Sequence, residues 1–78
     1  MFDYLVLIET EKGMLHFIWS AREIAKHISK GYPSEDMRAY ILKRNQPPMP
    51  VWFDYLEKQN QLYIYDGYNN FIEHTKIA

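Results

Sequence analysis

The chain contains no cysteine. Disulfides and thiolate metal sites are therefore excluded, and a reducing compartment suits the sequence. Glycine is scarce, with three residues in 78, and they form no phosphate-cradling loop. Charge of either sign is not in excess. A net charge of −1 gives none of the overall basicity that marks many nucleic-acid-binding domains. No apolar run approaches the roughly 20 residues of a transmembrane helix, and the run Leu5 to Ile8 lacks the length and basic flank of a signal peptide. These absences predict a cytoplasmic protein with no membrane partner. The length predicts one small domain, 1–78, with a thin core. Without disulfides or a metal, such a core depends on dense packing or self-association, so a homodimer is an open expectation.

Catalytic constellations are also lacking. His16, His27 and His74 have no ligand-like spacing, and no HExxH or Cys/His motif occurs. The acidic residues are scattered, and Ser20, Ser29 and Ser34 have no nucleophile context. The sequence predicts no catalytic, metal or cofactor site, and no enzyme.

What the chain has is aromatic residues. There are thirteen, and seven of them lie between Trp52 and Phe71. Residues 2–9 read as a strand, with Phe2, Tyr4, Val6 and Ile8 on one face and Leu5 and Leu7 on the other. Apolar residues on both faces suggest a central position in a sheet. Residues 10–13 form a turn and 14–19 a returning strand. Ser20-Ala21-Arg22-Glu23 is a capping box, with Ser20 as N-cap and Glu23 at N3, flanked by Trp19 and Ile24 at hydrophobic-staple positions. Ala21, Ile24, Ala25 and Ile28 follow helical spacing, and Gly31 and Pro33 end the segment. A helix over about 21–30 follows.

Residues 36–43 and 51–56 carry both strand and helix patterns. A hairpin with one helix needs more sheet to be stable, which favours strand for 36–43. Residues 61–65 read as a strand. The fold class is α+β: an N-terminal hairpin, further antiparallel strands toward the C-terminus, and the helix at 21–30 packed on one face.

Asp66-Gly67 resembles a two-residue hairpin turn. That register pairs Tyr65 with Tyr68, Tyr63 with Asn70 and Leu62 with Phe71. It places Leu62, Ile64 and Phe71 on a core face, and Tyr63, Tyr65 and Tyr68 on the opposite face. Tyrosine combines rigid area with a hydroxyl and is enriched at interfaces. Trp52 is expected to border this patch. In an alternative reading, a helix starts after Gly67, with Asn70 as N-cap and Glu73 at N3, and presents backbone N–H groups to a phosphate. On those residues the segment 47–74 is similar to a corner of ParB and sulfiredoxin-like proteins. Asn69 and Asn70 stand where those families carry His and Arg, so the phosphate-holding cation is missing and the resemblance is not adopted.

Arg22, Lys26 and Lys30 recur at helical spacing with His27 beside them, a basic stripe suited to phosphates or to an acidic protein surface. It also suits a solvated face complementing the helix dipole. Residues 44–50 match a short SH3-ligand pattern, and they read as a stiff linker. The expected partner-binding residues are Tyr63, Tyr65, Tyr68, Trp52, Arg22, Lys26 and Lys30. The expected function is non-enzymatic protein binding by a regulatory or inhibitory accessory protein of phage or mobile-element type. The alternative is nucleic-acid binding by the basic helix and exposed aromatics.

Overall fold

A computed structural model describes residues 1–77. Six strands form one antiparallel sheet: β1 (Asp3–Thr10), β2 (Gly13–Ser20), β3 (Met37–Leu42), β4 (Met49–Leu56), β5 (Gln61–Asp66) and β6 (Phe71–Lys76). Their order across the sheet is β2-β1-β3-β4-β5-β6. One helix, α1 (Ala21–Ser29), follows β2 directly. The Ser20 hydroxyl accepts from the Glu23 amide at 3.3 Å, and the Glu23 carboxylate accepts from the Ser20 amide at 3.0 Å. Both halves of the capping box are therefore made. Gly31 takes φ 97°, the left-handed turn that leads out of the helix region.

The alternation of side chains decides the layers. Tyr4, Val6, Met37, Ala39, Ile41, Val51, Leu62 and Ile64 are buried on one face, against Ala21, Ile24, Ala25 and Ile28 of α1. That face is concave. The Tyr4 hydroxyl of β1 donates to Glu73 of β6 at 2.6 Å, and the Phe2 amide donates to the same carboxylate oxygen at 3.2 Å. Flat strands four places apart are separated by about 19 Å, so these bonds require a strongly curled sheet. Burial, followed by the bond to Glu73 and its charge, raises the Tyr4 pKa well above the usual phenol value. The phenol remains the donor.

The ambiguous segments are strands. Residues 36–43 form β3 after a single 3-10 turn at Ser34–Asp36, which is all that survives of the helix-start signal there. The supposed linker at 46–50 is shorter than expected, because β4 begins at Met49 and Pro50 sits opposite Tyr40. With Pro50 inside a sheet ladder, the full 44–50 pattern is not a free polyproline segment. The β3–β4 ladder contains only Ala39–Val51, Tyr40–Pro50 and Ile41–Met49. Beyond it the two strands diverge.

The two-residue turn at Asp66-Gly67 is corrected. Residues 67–70 form a four-residue loop, and Tyr65 pairs with Phe71, Tyr63 with His74 and Leu62 with Thr75. The physical cause is the Asp66 side chain. It accepts from the amides of Tyr68 (2.8 Å) and Asn70 (2.9 Å) and from the Asn70 side chain (3.2 Å). These bonds fold the backbone around the carboxylate. A register shift at Ile64/Tyr65 leaves Ile72 as an extra residue. Residues 71–76 are a strand, so the helix start at Asn70 is also overturned.

Candidate protein-interaction surface

The concave face is covered by a single helix of nine residues. The convex face carries no layer at all among the described residues. Strand alternation directs Leu5, Leu7, Ile18, Tyr40, Leu42, Trp52, Leu56, Tyr63, Tyr65 and Phe71 to it. A sheet face exposed to water usually alternates to polar residues. Here the outward row mixes these residues with polar ones such as Asp3, Arg38, Asp54 and Gln61, and its apolar members make the face a candidate interaction surface.

Its aromatic part lies on β4, β5 and β6. Trp52 of β4 is paired across the ladder with Tyr65 of β5 and is 55% exposed. Tyr65 meets Phe71 edge-on at 6.0 Å, and Phe71 lies 6.2 Å from Tyr63. His74 stacks on Tyr63 at 5.6 Å and shares a 3.1 Å hydrogen bond with Gln61. The loop extends the patch. Tyr68 stands at its tip, 82% exposed, held by the Asp66 bonds. A Cβ on Gly67 would lie 3.5 Å from the Trp52 ring, so the indole rests beneath the loop. The backbone bond to Asn70 leads the causes that lower the Asp66 pKa. The carboxylate that shapes the loop thus stays ionised below its ordinary range.

Where β3 and β4 diverge, a cleft of about 360 Å³ opens beside the patch, lined by Arg38, Tyr40, Pro50 and Trp52 among others. Trp, Tyr and Arg are the residue types most enriched at binding hot spots.

Leu62 and Ile64 are fully buried, and Tyr63, Tyr65 and Tyr68 are on or beside the opposite face, with Trp52 next to them. Phe71 corrects the expectation. It was expected in the core and instead lies among the tyrosines, 53% exposed. The extra residue in β6 and the longer loop reverse its facing. The convex residues Leu5, Leu7, Tyr40 and Leu42 were missed as part of this surface. The alternation of 2–9 offered the signal, because it already placed Leu5 and Leu7 opposite the core row.

Arg22 and Lys26 are exposed on α1 and Lys30 at its C-cap, and the helix packs on the concave side. The structure does not bring them together with the aromatic patch. The Arg22 guanidinium reaches the Lys76 carbonyl at 3.3 Å. His27 leaves the stripe and turns inward between Trp19 (5.2 Å) and Tyr32 (4.4 Å). Desolvation there, followed by the charge of Lys30, lowers its pKa and favours the neutral ring.

Among the described residues no group of three or more His, Cys, Asp or Glu could hold a metal ion. None of the described helices is long and apolar enough to cross a membrane. No family model matches the chain, and no curated protein or solved structure matches it.

Proposed function

We propose that this chain is a non-enzymatic, cytoplasmic protein-binding domain that docks its convex face on a larger protein and regulates or inhibits it. The observation that supports this reading is the continuous aromatic cluster of Trp52, Tyr63, Tyr65 and Phe71 across three adjacent strands, with Tyr68 above it. These side chains lie outside a core that is already complete without them. Small accessory proteins of phages and mobile elements act in this manner, and the size of the chain suits that class.

Rigid aromatic side chains lose little conformational freedom on binding and bury large areas. One buried aromatic anchor contributes about 2 kcal/mol or more, roughly 30-fold in affinity. The test is affinity capture from the native host, quantified by mass spectrometry, with wild type and two double variants. Trp52→Ala with Tyr65→Ala is expected to lose the captured protein. Arg22→Glu with Lys26→Glu is expected to keep it. Capture that survives the first variant and fails with the second assigns binding to the helix side and refutes the reading. Capture of nucleic acid with a steep salt dependence refutes it too.

A further inference from the structure

We propose that β2 is a self-association edge, along which two copies of this chain pair antiparallel and join their sheets. β2 is the first strand in the sheet order, so its outer side has no neighbour. In an antiparallel pair the hydrogen-bonded residues alternate, so every second residue of β2 directs its N–H and C=O away from β1. Natural edges are blunted by Lys, Pro, bulges or a covering element. β2, GMLHFIWS, has no Lys, Arg, Asp, Glu or Pro, and pairs with β1 without a bulge over all eight residues. Met14, Leu15 and Ile18 are 47%, 48% and 59% exposed. An eight-residue edge of this composition is open to another strand.

The opposite edge is managed differently. β6 carries Glu73 and Lys76 and a register shift, and Arg22 occupies the Lys76 carbonyl. A β2-to-β6 contact would be head-to-tail and would propagate into fibres. With β6 blunted, β2 against β2 is the pairing left, and it closes as a two-fold dimer. That symmetry needs residues of the same facing opposite one another, which centres the axis on His16 or Phe17. No formally charged residue of β2 then meets its own copy. On the helix side, the partner's added strand runs beside a cleft of about 420 Å³ walled by Leu15, Phe17, Trp19 and Tyr32. The new strand's inward row has apolar surface to cover.

The size of the contact sets its strength. Eight residues span about 26 Å, and the two side-chain rows bring the covered area to the order of 500 Å² per protomer. That is the lower end of specific interfaces, so the dimer is expected to be weak and concentration-dependent. The contact uses the backbone edge of β2, outside the aromatic cluster of β4, β5 and β6, and Trp52→Ala separates it from the proposed docking.

Sedimentation velocity of the full chain from about 1 to about 200 µM reads this directly. The expected mass rises from the 9.5 kDa monomer toward twice that value. Met14→Lys with Ile18→Lys, both at exposed positions, is expected to stay monomeric throughout, with a wild-type circular-dichroism melt. Trp52→Ala is expected to dimerise as wild type does. A monomer at every concentration overturns the proposal. So does a dimer that persists in the lysine double variant, or one lost only in Trp52→Ala. Open-ended assemblies would overturn it as well, because they indicate a head-to-tail contact.

Discussion

Replacing Leu62 with alanine probes the sidedness of the sheet, on which the convex-face reading rests. Leu62 is fully buried on the concave face of β5, while its chain neighbour Tyr63 and, two residues further, Tyr65 lie toward the convex face or along it. The truncation removes the branched end of a side chain enclosed by core residues. Leu→Ala changes of this kind cost about 2.7–5 kcal/mol, depending on how far the surroundings collapse. A domain of this length has a total stability of about 4–12 kcal/mol, so the variant loses a large share of it. At about 4–8 °C per kcal/mol the melting temperature falls by roughly 10–40 °C. Tyr65→Ala, three residues along, removes a half-exposed ring that contacts Phe71 and opposes Trp52. Its expected loss is about 0.5–1.5 kcal/mol. Urea denaturation followed by circular dichroism gives both values, and unchanged m-values confirm that stability itself has moved. A Leu62→Ala variant within about 0.5 kcal/mol of wild type, or a larger loss in Tyr65→Ala, would mean that the faces are assigned the wrong way round.

Four other outcomes follow from single contacts. Ser20→Ala removes one half of the capping box and is expected to destabilise by about 1 kcal/mol in the same denaturation assay. Tyr4→Phe leaves the Glu73 carboxylate with one fewer donor inside the fold. The expected loss is about 1–3 kcal/mol, and a neutral result would remove the bond's role in holding the curl. The Asp66 carboxylate has a lowered pKa. Its contribution is therefore fully present above the unfolded value of about 3.9 and fades as pH falls through the lower native value. Amide chemical shifts of Tyr68 and Asn70, followed by NMR, should titrate with a midpoint below the ordinary Asp value. Gly67→Ala places its new methyl in ordinary contact with the Trp52 ring, and a melt within about 0.5 kcal/mol of wild type is expected.

The extent to which these features were legible from residues follows the range of the interactions involved. α1 was readable because its signals are local: a cap, its reciprocal glutamate, and four apolar residues at helical spacing, all within one short segment. β1 was readable for the same reason, down to which residues share a face. Residues 36–43 and 51–56 carried patterns of both kinds, and their identity as β3 and β4 was settled by neighbours distant in sequence. β4 is fixed by its ladder with β5, a contact that local propensity does not contain. The loop at 67–70 was misread for a different reason. Asp66 can act either as a turn residue or as an acceptor for later amides, and only the three-dimensional backbone shows the second role. One inserted residue was then enough to move Phe71 to the other face. The curl of the sheet, carried by Tyr4 and Glu73 from opposite ends of the chain, leaves no local signature. The convex face was therefore only partly visible, as a row of tyrosines.

The most direct test of the account is an oxidative footprint of the captured complex, comparing the rate at which each aromatic side chain is modified in the free and bound protein. Trp52, Tyr68 and Phe71 are exposed in the free chain and should become protected on binding, while Tyr32, exposed beside α1, should react at its free rate. Protection of Tyr32, with Trp52, Tyr68 and Phe71 still open to modification, would contradict the account and move the interface to the helix side.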